Sequence, residues 1–331
     1  MRCRLTDRMW PAALAVLLLA APVSARAQAW LPAKGEGYVS TIFTNVYVEK
    51  HYLPTTRYDV GKIEANVFLF DATYGVTDRV AVSVSLPLVV SRYTGDRPHP
   101  GTQRTVMDDG TWHSTFQDFR FTLRFNVVRG RVTITPFVGG AMPSHDYEYW
   151  AHSAAGRRLR EVQGGVSAAR LLDEIAAGLF VQGRYSFAFP QRVLDVRPQR
   201  SNADLELGYF LSPSLRVFAL AAAQLTHDGI DLPPNAREIL TPLQLQHHDQ
   251  IGRENFLNVG AGAAIDVSES IALYGAFLKQ VAGRNSHELD RAITAGITWS
   301  FRRTQQDSLF ARVYSRERPL ARCLCQKAAG K

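Results

Sequence analysis

Asp118-Phe119-Arg120-Phe121-Thr122-Leu123-Arg124-Phe125-Asn126 alternates without a slip. Phe119, Phe121, Leu123 and Phe125 fall on one side, and Asp118, Arg120, Thr122, Arg124 and Asn126 on the other. Successive side chains of an extended strand point to opposite faces, so the stretch predicts a strand with one oily and one charged face. Hydrocarbon on one side and water on the other suits it. A dry sandwich core would not tolerate those charges unpaired.

Working outward, the same alternation recurs. Val80, Val82, Val84, Leu86 and Leu88 alternate with Ala81, Ser83 and Ser85; Leu205, Leu207, Tyr209 and Leu211 with Asp204, Glu206 and Gly208; Ile293, Ala295, Ile297, Trp299 and Phe301 with Thr294, Gly296, Thr298 and Ser300. The pattern predicts about twelve strands: 36–50, 58–74, 79–93, 116–128, 131–147, 161–171, 175–189, 201–211, 215–228, 255–267, 271–283 and 289–301. Tight connections, such as 75–78, 129–130, 172–174, 212–214 and 268–270, alternate with mostly longer polar ones at 51–57, 94–115, 148–160, 190–200, 229–254 and 284–288. Short turns on one rim, long loops on the other and an even strand number predict an all-β fold, an antiparallel transmembrane β-barrel of bacterial outer-membrane type. Nearly every segment reaches the roughly 9–11 residues that a tilted membrane strand needs. Aromatic residues at strand ends predict two interfacial girdles. Tyr47, Tyr93, Tyr147 and Trp150 would mark the long-loop rim, with Tyr74, Phe125, Tyr209 and Trp299 at the other. A secreted soluble β-sandwich is the competing architecture.

The chain has 331 residues and a formal charge of +8. Residues 1–27 hold four Arg against Asp7, and 302–331 hold eight basic against two acidic residues, which leaves −1 for the stretch between. No surplus remains there for a phosphate-tracking surface, and nucleic acid is set aside as a partner. Arg2, Arg4 and Arg8, the apolar run 12–23 and the small residues around Ala27 predict a secretory signal peptide over 1–27, with cleavage there or after Ala29. The barrel then occupies 30–301, and 302–331 reads as a basic, disordered tail carrying Cys323 and Cys325. Two cysteines make no disulfide framework.

Asp71-Ala72-Thr73-Tyr74-Gly75-Val76-Thr77-Asp78-Arg79-Val80-Ala81-Val82-Ser83-Val84-Ser85-Leu86-Pro87, with Gln117-Asp118-Phe119 and Thr135-Pro136-Phe137, resembles the meta-pathway-of-phenol-degradation family of outer-membrane proteins. Thr115-Phe116-Gln117 stands where that family commonly has a Gly-rich step. The resemblance implies an outer-membrane channel, in some members associated with uptake of aromatic or other hydrophobic compounds. The alternating run that ends on Trp299-Ser300-Phe301 resembles the signal read by the barrel-assembly machinery, although the chain continues beyond it.

A twelve-stranded barrel encloses a lumen too wide to be filled by backbone and too narrow for a large pore. Its lining candidates are Asp118, Arg120, Arg124, Arg184, Asp204, Glu206 and Arg216. Either they pair across strands and solvate the interior, or they sort permeating solutes; their mixed signs predict no strong ion selectivity. The nine His residues fall near the long-loop rim, and only His247-His248-Asp249 is locally clustered. No spacing matches a metal motif, so they read as surface-loop His, and no metal, cofactor or catalytic residue is expected. A barrel hydrolase would need a Ser–His pair; His113-Ser114, His152-Ser153 and Ser286-His287 are merely adjacent in loops. Asp108, Asp109 and Asp249 are the acidic residues a rim protease would recruit. Within 229–254, Asn235 can cap a short helix that Pro242 would end. The expected role is passage of small molecules, hydrophobic or aromatic ones among them, across an outer membrane whose lipid and lipopolysaccharide surround the barrel. The alternative is a structural or ligand-binding barrel with long extracellular loops.

Overall fold

The computed structural model describes residues 29–102, 106–233 and 235–301. The expected signal peptide, the basic tail and the cysteines at 323 and 325 lie outside the described residues. Thirteen strand segments run β1 Gly37–Tyr52, β2 Arg57–Thr77, β3 Val80–Thr94, β4 His113–Phe116, β5 Asp118–Phe125, β6 Val132–Pro143, β7 Glu161–Leu171, β8 Leu179–Pro190, β9 Arg200–Phe210, β10 Leu215–Thr226, β11 Asn255–Asp266, β12 Ile271–Arg284 and β13 Ser286–Phe301. Each pairs antiparallel with its neighbours, and β1 pairs with β13 from Gly37↔Phe301 to Tyr52↔Ser286, which closes the sheet.

The barrel has twelve strands, because β4 and β5 both pair with β3 and form one strand with a bulge at Gln117. Phe116 lies opposite Leu88 and Arg120 opposite Ser85, so one extra residue is taken up between them. The bulge faces Pro87, which has no N–H to give the ladder; Gln117 N donates to its carbonyl at 2.8 Å.

The faces are sorted as an inside-out protein. Phe119, Phe121, Leu123 and Phe125 are 36–45% exposed on the outer wall, while Asp118, Arg124 and Asn126 are 3–8% exposed on the inner one. Val82, Val84, Val138, Val162, Phe277, Ile293 and Ile297 continue the outer apolar band around the barrel. A continuous apolar belt of this extent is a lipid-facing surface.

Three expectations are corrected. Tyr74, Phe125, Tyr209 and Trp299 do face outward at the short-turn rim, but Tyr93 and Tyr147 at the other rim are buried. Tyr93 Oη donates to Val60 O (2.8 Å), and Tyr147 Oη donates to Asp118 Oδ1 (2.5 Å) and accepts from Arg158 N (2.9 Å). They tie loops down, and Trp112, Phe116, Tyr185 and Phe189 supply the exposed aromatics instead. The strand expected from 175 begins at Leu179, since Leu172 N bonds Leu179 O (2.8 Å) around a turn that needs Gly178 at φ +95°. The strand expected to reach 147 stops at Pro143.

The helix that begins after Asn235, the single turn α1 (Ala236–Ile239), stops short of Pro242. Pro242 in turn opens α2 (Pro242–Gln246), capped by Thr241 and Gln244 in a reciprocal box, and the single turn α3 (His248–Ile251) follows. Asn235 stands at the start of α1 without a side-chain capping bond.

Residues 29–36 cross the short-turn mouth, periplasmic by the usual asymmetry of such barrels. Lys34 N donates to Asp78 Oδ1 (3.1 Å) and Gly35 N to Gly75 O (2.9 Å) at one side. On the other, Thr135 Oγ1 donates to Ala29 O (2.7 Å), and Trp30 packs edge-on against Phe180 beside Leu171 and Phe210. Gly75 is needed at this crossing, because a Cβ there would lie 2.1 Å from Ala33 O.

Candidate functional site

Alternation turns every second residue of the strands inward, and the inward set encloses a cavity of about 470 Å³. Its wall carries Arg120, Arg124, Arg157, Arg184 and Arg200 together with Asp71, Asp118, Glu161, Asp204 and Glu254. Five cations face five carboxylates, so the lining has no net sign. Arg200 is ion-paired with Glu161 and Arg157 with Glu254. Arg184 stands opposite Asp204 in the β8–β9 register, with its guanidinium 4.3 Å from the Phe137 ring centre. Arg124 Nη2 donates to Ser83 Oγ (2.5 Å) and Thr73 Oγ1 (3.2 Å). Among the described residues nothing hydrogen-bonds the buried Arg120 Nε, Arg200 Nε or Asp204 Oδ1; buried polar atoms of this kind are ordinarily satisfied by water.

Of the residues named from sequence, Asp118, Arg120, Arg124, Arg184 and Asp204 meet on this one wall. Glu206 and Arg216 do not. Glu206 is buried nearer the periplasmic rim, where Gln182 Nε2 donates to it at 2.8 Å and the Trp30–Phe180–Phe210 cluster fills the interior. Arg216 stands at the start of β10, in register with Phe210 of that cluster. Alternation missed Arg157, Arg200 and Glu254, which lie in or at the ends of connections. Asp71, next to the outward Phe70 on β2, carried the alternation signal and was passed over.

The long-loop mouth holds a second assembly. His51, His99, His152, His248 and His287 converge, which corrects their reading as separate surface-loop residues. Ring centres are 4.1 Å apart for His99 and His152, 5.4 Å for His99 and His248, 4.7 Å for His51 and His287, and 6.2 Å for His152 and His287. Asp108 lies at their edge, with Oδ2 accepting from the backbone N–H of His99 and His152 (both 2.9 Å) and Oδ1 from Ser153 N and Oγ. Burial pushes the Asp108 carboxyl up, but the His99 ring and these N–H donors override it and hold it well below the usual carboxylate range. Burial, with His99 and His287 beside it, takes His152 down to about 3. Asp249 is half-buried; desolvation pushes its carboxyl up, but His248, His287, His99 and His51 outweigh it and hold the group well below its ordinary value.

None of the three adjacent Ser–His pairs joins up. Ser153 Oγ donates to Asp108 (2.8 Å), and Ser286 Oγ accepts from Gln280 (2.9 Å). His113 bonds Asp109 (2.9 Å) and not Ser114. The barrel instead brings together Ser201 on β9 and His227 just past the end of β10, with Oγ 2.7 Å from Nε2 and Tyr185 Oη 3.0 Å from the same Oγ. No carboxylate among the described residues hydrogen-bonds the other His227 nitrogen, so the pair lacks the orienting third group of a hydrolytic triad.

No protein-family model matches the chain, and no curated protein matches it. Among solved structures, the COG4313 outer membrane channel from Pseudomonas putida F1 is similar at TM-score 0.64 and 12% identity, over 83% of this chain and 99% of that one. The NanC porin follows at TM-score 0.47 and 8% identity, over 79% and 98%. The translocator domain of the autotransporter NalP from Neisseria meningitidis has TM-score 0.40 and 13% identity, over 81% and 89%. At 12% identity the first likeness concerns the fold, and this chain has the closed twelve-stranded architecture of outer-membrane barrels.

Proposed function

We propose that the chain is an outer-membrane channel for small molecules. The observation that carries this reading is the cavity of about 470 Å³ inside a lipid-faced barrel, polar, balanced in charge and sized for a small solute. The lining residues Asp118, Arg120, Arg124, Arg184 and Asp204, joined by Arg157, Arg200 and Glu161, would order a solute by its polar groups while excluding neither ion sign. Aromatic solutes are the favoured class. The likeness of 71–87 to the phenol-degradation family supports that, as do Phe137 and Phe256 on the same wall as the guanidinium groups. In this reading residues 1–27 direct export, lipid and lipopolysaccharide contact the outer band, and Trp299 and Phe301 present the end of β13 to the barrel-assembly machinery.

The test is planar-bilayer conductance of the purified full chain, with liposome uptake of a small aromatic acid measured beside it. Stepwise conductance with uptake of the acid above that of a sugar of similar size is expected. Absence of both conductance and uptake would overturn the channel, leaving a structural or ligand-binding barrel.

A further inference from the structure

We propose that the extracellular mouth holds a site for one divalent transition-metal ion, bound by His99, Asp108 and His152, with the His248 ring beside that of His99. One ligand atom from each of the three residues lies within 4.8 Å of the others. His99 Nδ1 is 3.7 Å from Asp108 Oδ2, and ligand atoms about 2.0–2.1 Å from a tetrahedral ion stand roughly 3.3 Å apart. A shift of a few tenths of an ångström in that pair therefore brings both into bonding range.

The rings are already turned for the task. His152 donates its Nε2–H to Arg97 O at 3.0 Å, which leaves Nδ1 as the acceptor nitrogen, and that Nδ1 is buried with no hydrogen-bond partner among the described residues. His99 Nδ1 is also buried, makes no hydrogen bond among the described residues and faces Asp108 Oδ2 across the 3.7 Å gap. His248 donates Nδ1–H to Leu245 O at 2.6 Å, so its lone pair sits on Nε2, 3.3 Å from Asp249 Oδ1. A ring nitrogen fixed by a backbone carbonyl, with the other turned inward, is the outer-shell arrangement of metal-binding His. Two imidazoles and a carboxylate suit the zinc, nickel and copper class and not calcium or magnesium, which take oxygen.

The ligands come from two connections, with His99 and Asp108 between β3 and β4 and His152 between β6 and β7, while His248 opens α3. One ion on His99, Asp108 and His152 would tie these two connections together across the mouth. The site stands whether or not the barrel conducts.

Untagged full-length protein in detergent, stripped with chelator, is titrated with Zn²⁺ by calorimetry and with Co²⁺ by visible absorption. One ion per chain is expected, with a Co²⁺ spectrum of nitrogen and oxygen ligation. His99→Ala and His152→Ala should each weaken binding at least tenfold, while His145→Ala, at the rim, leaves it unchanged. Heat-dependent electrophoretic mobility checks that each variant forms the barrel, and the wild-type Co²⁺ spectrum reads the ligands without any substitution. Metal should also slow trypsin cleavage at Arg97 and Arg157. No stoichiometric binding by wild type would overturn the proposal. So would wild-type affinity in the His99→Ala/His152→Ala double variant, or binding lost only on removing His51 and His287.

Discussion

Phe121→Arg separates a barrel in lipid from a barrel in water by the size of its effect. Phe116 and Phe125, both exposed aromatics, mark the two edges of the outer band on the bulged strand. The bulge takes up one of the nine steps between them, opposite the eight from Leu88 to Val80, so with a rise of ~3.4 Å per residue and a tilt of about 40° they span roughly 21 Å. An outer-membrane apolar band is about 25 Å tall, so Phe121 sits within a few ångströms of its midplane. Arg there should cost about 2–4 kcal/mol, whereas Phe125→Arg at the edge should cost roughly 0–1 kcal/mol. On a water-exposed wall both would stay within about 0.5 kcal/mol of wild type. Urea unfolding in lipid vesicles, followed by Trp fluorescence, measures the pair. Equal stabilities for the two variants would refute the lipid-facing assignment.

Trp30→Ala removes the ring packed against Phe180 and should loosen the strap over the periplasmic mouth, seen as a higher open fraction in bilayer recordings; unchanged traces would mean that the strap does not obstruct passage. Refolded protein is expected to release no fatty acid from phospholipid, since no carboxylate among the described residues orients the Ser201–His227 pair; hydrolysis that disappears in Ser201→Ala would overturn this expectation.

The barrel was legible because its signal is local. Phe119 to Phe125 alternate with Asp118 to Asn126 whatever the rest of the chain does, and the same holds for β3, β9 and β13. The bulge at Gln117 was not legible, since its reason, Pro87, lies across a strand pairing. Tyr93 sits at the end of β3 and Tyr147 in the connection just past β6, close to where girdle aromatics fall, but composition does not say which way such a residue turns. Loop closure turned them inward onto Val60 O and Asp118. The lumen was legible only where strands supply it. Arg157 and Glu254 reach the cavity from connections that carry no period. The histidine assembly was the least visible part. His51, His99, His152, His248 and His287 come from five separate places in the chain, and only the cylinder that brings those connections over one mouth makes them neighbours.

Closure also constrains how the chain reaches its native state. Until β13 docks along β1, from Gly37↔Phe301 to Tyr52↔Ser286, both β1 and β12 present an open edge of unpaired amides and carbonyls. Such edges template pairing between molecules, and contacts between residues so far apart in sequence form slowly. Every precursor therefore passes through a sticky, unsealed interval. In that interval pairing between molecules competes with closure, and a product truncated before residue 286 is expected to aggregate instead of forming a shorter barrel.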